Sequence, residues 1–397
     1  FFVSVERLLN RSLIGQPVVV GGRPGERGVV TAASYEVRKL GVHSGMPMTE
    51  AFRLAPKAIF VPCRHQTYGP YAKKVRAILE DFTPAVTTAS IDEFFLDFRG
   101  CEALYRQHGD RTDDATIERT VHEIRERIQQ DVGLPASAGI GATRPIAKIA
   151  SGLAKPAGVL MVPVGTEVAF LTPLSVRKYP GIGPVGEARL NAANIHTMGQ
   201  LLTLPPGPLR QRFGSLSLAI HRNIDGSQPR RSTQDRPAFL EFDPTGLSVG
   251  SISNERTFRT DLGDKQHVKD QLRKLAERVC WRARQRNVRA RTITLKLRYS
   301  DFHTITRSQS GTATNTENLV YQRVLNLLRT AWTRRLPIRL LGVALSNLEQ
   351  NPSQMPLPFQ AETPDIGCAI DTIRSKYGYD AIRLGSLKGG RPPVRIE

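Results

Sequence analysis

The chain has 397 residues, more than one hydrophobic core accommodates, so about three or four domains are expected. Lys plus Arg number 56 against 36 Asp plus Glu, and the resulting net charge of +20 points to a polyanionic partner, nucleic acid rather than membrane. No stretch approaches the length of a transmembrane helix, the start Phe1-Phe2-Val3-Ser4-Val5-Glu6 lacks the basic and apolar regions of a signal peptide, and the scattered Cys63, Cys101, Cys280 and Cys368 form no CxxC pair, so a reduced cytosolic protein without a zinc site is expected.

In chain order, Gln16-Pro17-Val18-Val19-Val20-Gly21-Gly22 reads as a short strand closed by glycines, with Val29 to Ala33 as its neighbour. Tyr35 to Leu40 opens a helix, and Met48 to Leu54 has helical composition and stops before Pro56. Ile59 to Val61 is a strand and Tyr71 to Phe82 a helix; Val86 to Phe98 reads as two strands joined at Asp92-Glu93. Ala115 to Asp131 sets Ile117, Val121, Ile124 and Ile128 on one helical face. A strand at Ala136 to Ile140 and a helix from Pro145 to Leu153 complete an alternating α/β portion.

Beyond Val162 the texture changes. Tyr179-Pro180-Gly181-Ile182-Gly183-Pro184, followed by Ala188 to Ala193, reads as a helix, a glycine hairpin and a second helix, whose Gly181 and Gly183 amides can hold a backbone phosphate without reading sequence; a helical turn that simply needs glycine is the competing reading. Gln228 to Pro244 has linker composition. Residues 246–348 hold 20 Lys plus Arg against 7 Asp plus Glu. Within them, Thr292 to Tyr299 alternates apolar and polar residues like a half-buried strand, and helical segments at Lys265 to Gln285 and Thr316 to Thr333 predict a small sheet covered by helices on one face. The open face would offer Arg289, Arg291, Lys296 and Arg298 to a phosphate backbone. Asp371 to Tyr379 reads as a short helix in an otherwise mobile tail.

Asp92 and Glu93 are the residues with the most direct chemical meaning. Adjacent side chains on a flat strand point to opposite faces, so both acids serve one site only if the chain turns or bulges there. Such a pair suits a hard divalent cation that takes a few carboxylates plus substrate phosphates. A surface hairpin with two solvated acids is the alternative on these residues alone.

Three blocks carry a resemblance: Ser90-Ile91-Asp92-Glu93-Phe94-Phe95-Leu96-Asp97; Gly139-Ile140-Gly141 through Ala147-Lys148-Ile149-Ala150-Ser151 to Lys155-Pro156 and Gly158; and Ala33-Ser34-Tyr35-Glu36-Val37-Arg38-Lys39-Leu40-Gly41-Val42. In order and spacing they resemble the signature blocks of Y-family translesion DNA polymerases, closest to the bacterial DNA polymerase IV group. The resemblance implies an α/β and α+β multidomain right hand: palm at 1–5 and 66–162, fingers at 6–65, a helical thumb with a helix-hairpin-helix at 163–232, a linker at 233–245, a little finger of β-sheet with two helices at 246–348, and a mobile tail at 349–397.

It further implies error-prone, template-directed addition of a dNTP to a primer 3′-hydroxyl with two Mg²⁺ per active site, held partly by Asp92 and Glu93 as catalytic, metal-binding carboxylates. Phe1, Phe2, Tyr35, Arg38 and Lys155 match the dNTP-binding positions, with Phe2 as the gate against a ribose 2′-hydroxyl. Arg forks two phosphate oxygens, Lys is a point charge, and a Tyr hydroxyl donates one bond. Gln354-Met355-Pro356-Leu357-Pro358-Phe359 is similar to a sliding-clamp peptide, with Gln354, Met355, Leu357 and Phe359 as its contacts. The partners expected are primer-template DNA, dNTP and the bacterial clamp, for a monomer in the cytoplasm at the nucleoid.

Three departures from the pattern stand out. The family's first strand ends in a metal-binding aspartate upstream of the aromatic pair matched by Phe1-Phe2; this chain begins at Phe1, and a truncated or misassigned start is expected. Ala32 stands where a hydroxyl residue is usual, with Thr31 adjacent but directed the other way, and Gly152 where Asp is common. A non-catalytic DNA-binding scaffold of the same fold in a mutagenesis complex is the alternative function.

Overall fold

Phe2–Leu9 is a helix (α1) that no sequence signal announces: its N-cap, Phe1, has no capping side chain and its first turn no acid. The computed structural model describes residues 1–205, 207, 250–350 and 366–382, which fall into two compact units, residues 1–242 and 243–397. In the first unit α1 buries Val3, Val5 and Glu6. Val18–Gly21 (β1) is buried along its length, as β-branched residues suit. It pairs antiparallel with Val30–Ala33 (β2). After a single helical turn, Tyr35–Arg38 (α2), and a helix at Met48–Leu54 (α3), Ile59–Pro62 (β3) adds to β1 in parallel. The helix expected over 35–40 ends at Arg38, because Gly41 turns the chain at φ +88°. Alternation divides β1: Val18 and Val20 enter one core, Val19 the core on the other face.

His65–Phe82 (α4) starts at His65 rather than after Pro70 as the sequence suggests. The proline lies in the second turn, and the buried Tyr68 anchors the first by donating to Glu6 Oε1 at 2.7 Å. Val86–Ser90 (β4) and Glu93–Leu96 (β5) form an antiparallel hairpin. A short Glu102–Tyr105 (α5) leads to Asp113–Val132 (α6), capped by the Thr112 side chain at 3.1 Å and ended by Gly133 at φ +76°. Its Ile124 and Ile128 join Tyr68, Ile78, Leu79 and Phe82 of α4 and Val3 and Val5 of α1 in one core. Both α1 and α4 therefore run unbroken across the 5/6 and 65/66 boundaries expected between palm and fingers.

Ala138–Ile140 (β6) and Val159–Met161 (β7) pair in parallel, joined by Arg144–Leu153 (α7). A Cβ on Gly139 would lie 2.0 Å from the Ala147 carbonyl oxygen and 2.2 Å from the Ser151 nitrogen, so only glycine lets α7 lie this close to β6. Ile146, Ile149 and Ala150 of α7 then enter a core with Leu171, Val176, Tyr179, Ile182, Leu190, Met198 and Leu201. These come from Glu167–Leu171 (α8), a 3-10 turn at Val176–Lys178, Pro184–Asn191 (α9) and Met198–Leu202 (α10), with Tyr179 and Ile182 from the segment that joins the 3-10 turn to α9. The element before the glycine hairpin is thus a 3-10 turn, and the helix after it begins at Pro184 rather than Ala188, proline being favoured in a first turn.

The second unit holds Ser251–Leu262 (β8), Lys265–Arg284 (α11), Val288–Tyr299 (β9), Thr304–Thr314 (β10), Glu317–Ala331 (α12) and Ile338–Gln350 (β11). The strands are antiparallel in the order β10-β9-β11-β8. Val268, Leu272, Val279, Val320, Val324 and Leu328 of the helices meet Ile293, Leu295, Leu297, Leu341 and Val343 of the sheet, as the alternation predicts. Ile366–Tyr377 (α13), expected as a short helix over 371–379 in an otherwise mobile tail, starts five residues earlier and is docked by ion pairs on α11. Arg284 meets Asp371 and Glu317 at 2.6 Å, and Arg374 meets Glu277 at 3.2 Å. Both members of the second pair are buried, at 1% and 4% side-chain exposure. Charged residues look like surface in sequence; here complementary pairs carry them inside.

Two outcomes follow from this packing. Gly139→Ala is expected to lower stability by about 3 kcal/mol, because backbone must move to admit one methyl, read as a fall in the urea midpoint. Arg374→Met leaves Glu277 buried without its counter-charge, a cost of about 3–5 kcal/mol. Hydrogen exchange protection of residues 366–377 should then be lost while β9 and β11 stay protected, and Arg374→Met with Glu277→Met should recover most of it.

Candidate active site

The β4–β5 hairpin answers the geometric problem set by two adjacent acids. Ser90 pairs with Glu93, so Ile91 and Asp92 form the turn, and the register shifts between Thr88 and Ser90. Glu93 opens β5 while Asp92 stands at the tip, and the two carboxylates leave the alternation of a flat strand. Ser90 Oγ donates to Asp92 Oδ1 at 2.7 Å and fixes that carboxylate. Lys148 of α7 donates to Glu93. Among the described residues no three His, Cys, Asp or Glu side chains gather as a ready cation cage. Two exposed or half-exposed oxygen donors at a turn nevertheless fit a hard cation that completes its shell with phosphate or water.

Three segments converge on these carboxylates. The backbone nitrogen of Phe1 is largely buried and lies within electrostatic reach of Asp92, Lys155 and Arg38. Phe1, Asp92, Lys155 and Arg38, far apart in sequence, therefore share one electrostatic neighbourhood. Arg38 is held by its Nε donating to the Ala33 carbonyl at 2.9 Å, and its guanidinium lies 5.6 Å from the centre of the Tyr35 ring. Tyr35 is exposed, as is Lys155 beyond the end of α7. Ala32, half-buried in β2, brings no hydroxyl, and Gly152 on α7 faces open space.

Phe2 stacks on Tyr68, with ring centres 4.2 Å apart and planes 16° from parallel, and has His65 edge-on at 6.3 Å. Behind it Tyr68 is held by Glu6, which also pairs with Arg64. Burial pushes the Tyr68 hydroxyl well above its ordinary range. Phe2 is thus part of a layered wall and not a free side chain.

Lys148, inside the second block of the resemblance but given no role there, and Arg144, not named in it, both act on the hairpin. Arg144 lies 5.3 Å from the centre of the Phe95 ring and donates to Thr87 Oγ1 at 3.0 Å, bracing the hairpin from the same helix. Their separation by one helical turn, continued by Lys155, is the stripe that would have revealed them. Gly181 turns at φ +98° and Gly183 is the N-cap of α9.

In the second unit, Lys296 is bound by Glu255 at 2.9 Å, Arg291 pairs with Glu349, Arg298 donates to Thr304 Oγ1 at 2.8 Å, and Arg289 is half-exposed. Two of the four expected backbone-binding cations, Lys296 and Arg291, are therefore already paired with a carboxylate. The expected clamp contacts Gln354, Met355, Leu357 and Phe359 lie outside the described residues. Among the described residues no helix is long and apolar enough to cross a membrane.

Residues 1–152 match the impB/mucB/samB family and residues 249–357 its C-terminal domain. The chain is 36% identical over 388 residues to the DNA polymerase IV of Dehalococcoides mccartyi, spanning 97% of this chain and 94% of that protein. It is 34% identical over 403 residues to the DNA polymerase IV of Opitutus terrae, spanning 100% and 97%. Among solved structures, a Y-family DNA polymerase chimera of Dbh and Dpo4 aligns with a TM-score of 0.75 at 25% identity over 88% of this chain and 97% of that one. The insertion ternary complex of Dbh DNA polymerase aligns at 0.58 and 24% identity, with the same coverage, and shows the shared fold. The non-catalytic scaffold alternative finds no support among these relatives. The chain belongs to the impB/mucB/samB family as a Y-family, DNA polymerase IV-type enzyme, a DNA-directed DNA polymerase of translesion synthesis.

Proposed function

We propose that Asp92 and Glu93 are the catalytic carboxylates of this polymerase and hold Mg²⁺, two ions per site, with further ligands from the incoming dNTP. The observation that carries the reading is the shared neighbourhood of Phe1, Asp92, Lys155 and Arg38, which brings an acidic turn and two cations together from three distant segments. Bound Mg²⁺ supplies Lewis acidity that makes the primer 3′-hydroxyl a better nucleophile and offsets charge on the departing pyrophosphate.

The chain's own groups do the positioning. Arg38 and Lys155 neutralise the triphosphate, the first as a fork pre-aimed by the Ala33 carbonyl, the second as a mobile point charge. Tyr35 adds a hydroxyl donor, and Phe1 and Phe2 line the nucleotide, Phe2 as the wall against a ribose 2′-hydroxyl. Lys148 holds the charge of Glu93 in the free chain, so that the adjacent carboxylates do not repel one another out of place.

Residues 1–5 with 66–162 act as palm, 6–65 as fingers, 163–232 as thumb, 246–348 as little finger and 349–397 as tail, with 233–245 as the linker. Primer-template DNA is gripped through its backbone at Gly181 and Gly183 and at Arg289, Arg291, Lys296 and Arg298. Gln354, Met355, Leu357 and Phe359 recruit the bacterial sliding clamp, and the enzyme works in the cytoplasm at the nucleoid.

Mg²⁺-dependent primer extension by the complete gene product tests the assignment. Asp92→Ala and Glu93→Ala should each abolish extension with primer-template binding retained, whereas Arg38→Ala and Lys155→Ala should raise the KM for dNTP roughly ten- to hundredfold, the worth of one charge-assisted bond. Extension that survives Asp92→Ala removes the carboxylate from the mechanism. Phe2→Ala should lower discrimination against ribonucleotides by about tenfold or more, since exclusion by a wall is lost when the wall is cut away; unchanged discrimination in single-nucleotide kinetics would move the gate elsewhere.

A further inference from the structure

The register of the second unit's sheet lines up Glu255 of β8, Gly342 of β11, Lys296 of β9 and Thr306 of β10 in one cross-strand row on the face away from α11 and α12. Glu255 and Lys296 lie on strands separated by a third, about 9–10 Å apart at the backbone. Even so, Lys296 Nζ reaches both Glu255 carboxylate oxygens, at 2.9 and 3.0 Å. The bridge passes over Gly342: a Cβ there would lie 2.8 Å from Glu255 Cγ and 3.4 Å from Lys296 Cβ. The neighbouring rows offer mainly hydroxyls, with Thr294 against Ser308 at 2.9 Å and Thr292 against Ser310 at 2.8 Å. On this stretch of the face, Lys296 and Arg298 are the cations of β9, and one of them is spent on an acid of the protein's own.

We propose that Glu255 limits the grip of this face on a nucleic-acid backbone by competing with phosphate for Lys296, an inference that rests on the open face being the backbone-binding surface. An exposed ion pair is weak enough for a phosphate to displace and strong enough to subtract from the affinity of every complex in which it must break. A polymerase that moves along its template gains from such moderation, since each fully free cation adds to the salt-dependent hold on one backbone position. Gly342 is the structural licence for the pair: any larger residue on the central strand would push the two side chains apart.

The test is fluorescence anisotropy with labelled primer-template DNA across a salt series, on the complete protein and on Glu255→Gln, Lys296→Gln, the double variant and Arg298→Gln. Glu255→Gln should tighten binding about threefold to tenfold at moderate salt and steepen the slope of log K against log salt by about 0.9, the value for one added phosphate contact. Lys296→Gln should cost more in the Glu255→Gln background than in the parent, giving a non-zero coupling in the cycle. If Arg298→Gln weakens binding but Glu255→Gln changes neither affinity nor slope, or lowers only the thermal midpoint, the competition is refuted while the face remains the binding surface. If Arg298→Gln and the double variant both leave binding unchanged, the underlying surface assignment fails and the proposal with it.

Discussion

Repulsion between like charges is the constraint around which this chain is organised. A protein of net charge +20 that gathers cations where anionic ligands are to be held must keep those cations in place before the ligand arrives. Three devices do so here. A backbone carbonyl holds Arg38, aromatic faces support Arg38 and Arg144, and carboxylates hold Lys148, Arg291 and Lys296. All of these cations are at least partly exposed, and exposed partners exchange readily for a phosphate. The deeply buried pairs, Glu277 with Arg374 and Arg284 with Asp371 and Glu317, answer a different need. Breaking one of those strands a charge away from water, so they fasten helix to helix, α13 to α11 through Asp371 and Arg374, rather than wait for a ligand.

Helix α7 links this electrostatics to the fold. One side brings Lys148 to Glu93 and Arg144 to the β4 strand, while Ile146, Ile149 and Ala150 on the other side belong to the core that continues through α8, α9 and α10. Gly139 allows both by letting the helix backbone rest on β6. A displacement of the elements around the Gly181–Gly183 hairpin is therefore felt by the helix that supplies the counter-charge of the acidic turn. Close-packed interiors transmit such strain because there is little void to absorb it.

Much of this was legible in the sequence where the signal is local. The valine run of β1, the helix at Met48–Leu54 and the alternation of β9 all follow from neighbours along the chain, as does a turn at the acidic pair, which falls at Ile91-Asp92, one residue before the expected Asp92-Glu93. What escaped depends on distance or on tertiary rescue. Lys148 meets Glu93 from 55 residues away, and Glu255 meets Lys296 from 41, which only the strand register reveals. α1 has no cap to announce it, and its burial of Val3 and Val5 against α4 supplies the stability that a cap would. Pro70 argued for a later start to α4, yet the bond between Tyr68 and Glu6 holds the preceding turn in place. The docking of α13 rests on Arg374, a residue type that sequence alone assigns to the surface.

If the proposed nucleotide site is taken as assigned, the contrast between its two halves carries a physical logic. Phosphate charge falls off slowly with distance, so an exposed cation serves well without tight packing, and Arg38 and Lys155 are both exposed. Exclusion of one hydroxyl is a matter of contact distance, and a wall that yields by an ångström excludes nothing. Phe2 is accordingly backed face to face by Tyr68, which is anchored on the fully buried Glu6, itself paired with Arg64. The polar groups of that backing are satisfied by one another, so the wall gains stiffness without leaving a buried donor or acceptor unpaired there. On the proposed assignment, the sugar side of the site is therefore stiff by packing, while the phosphate side relies on charge reaching over distance.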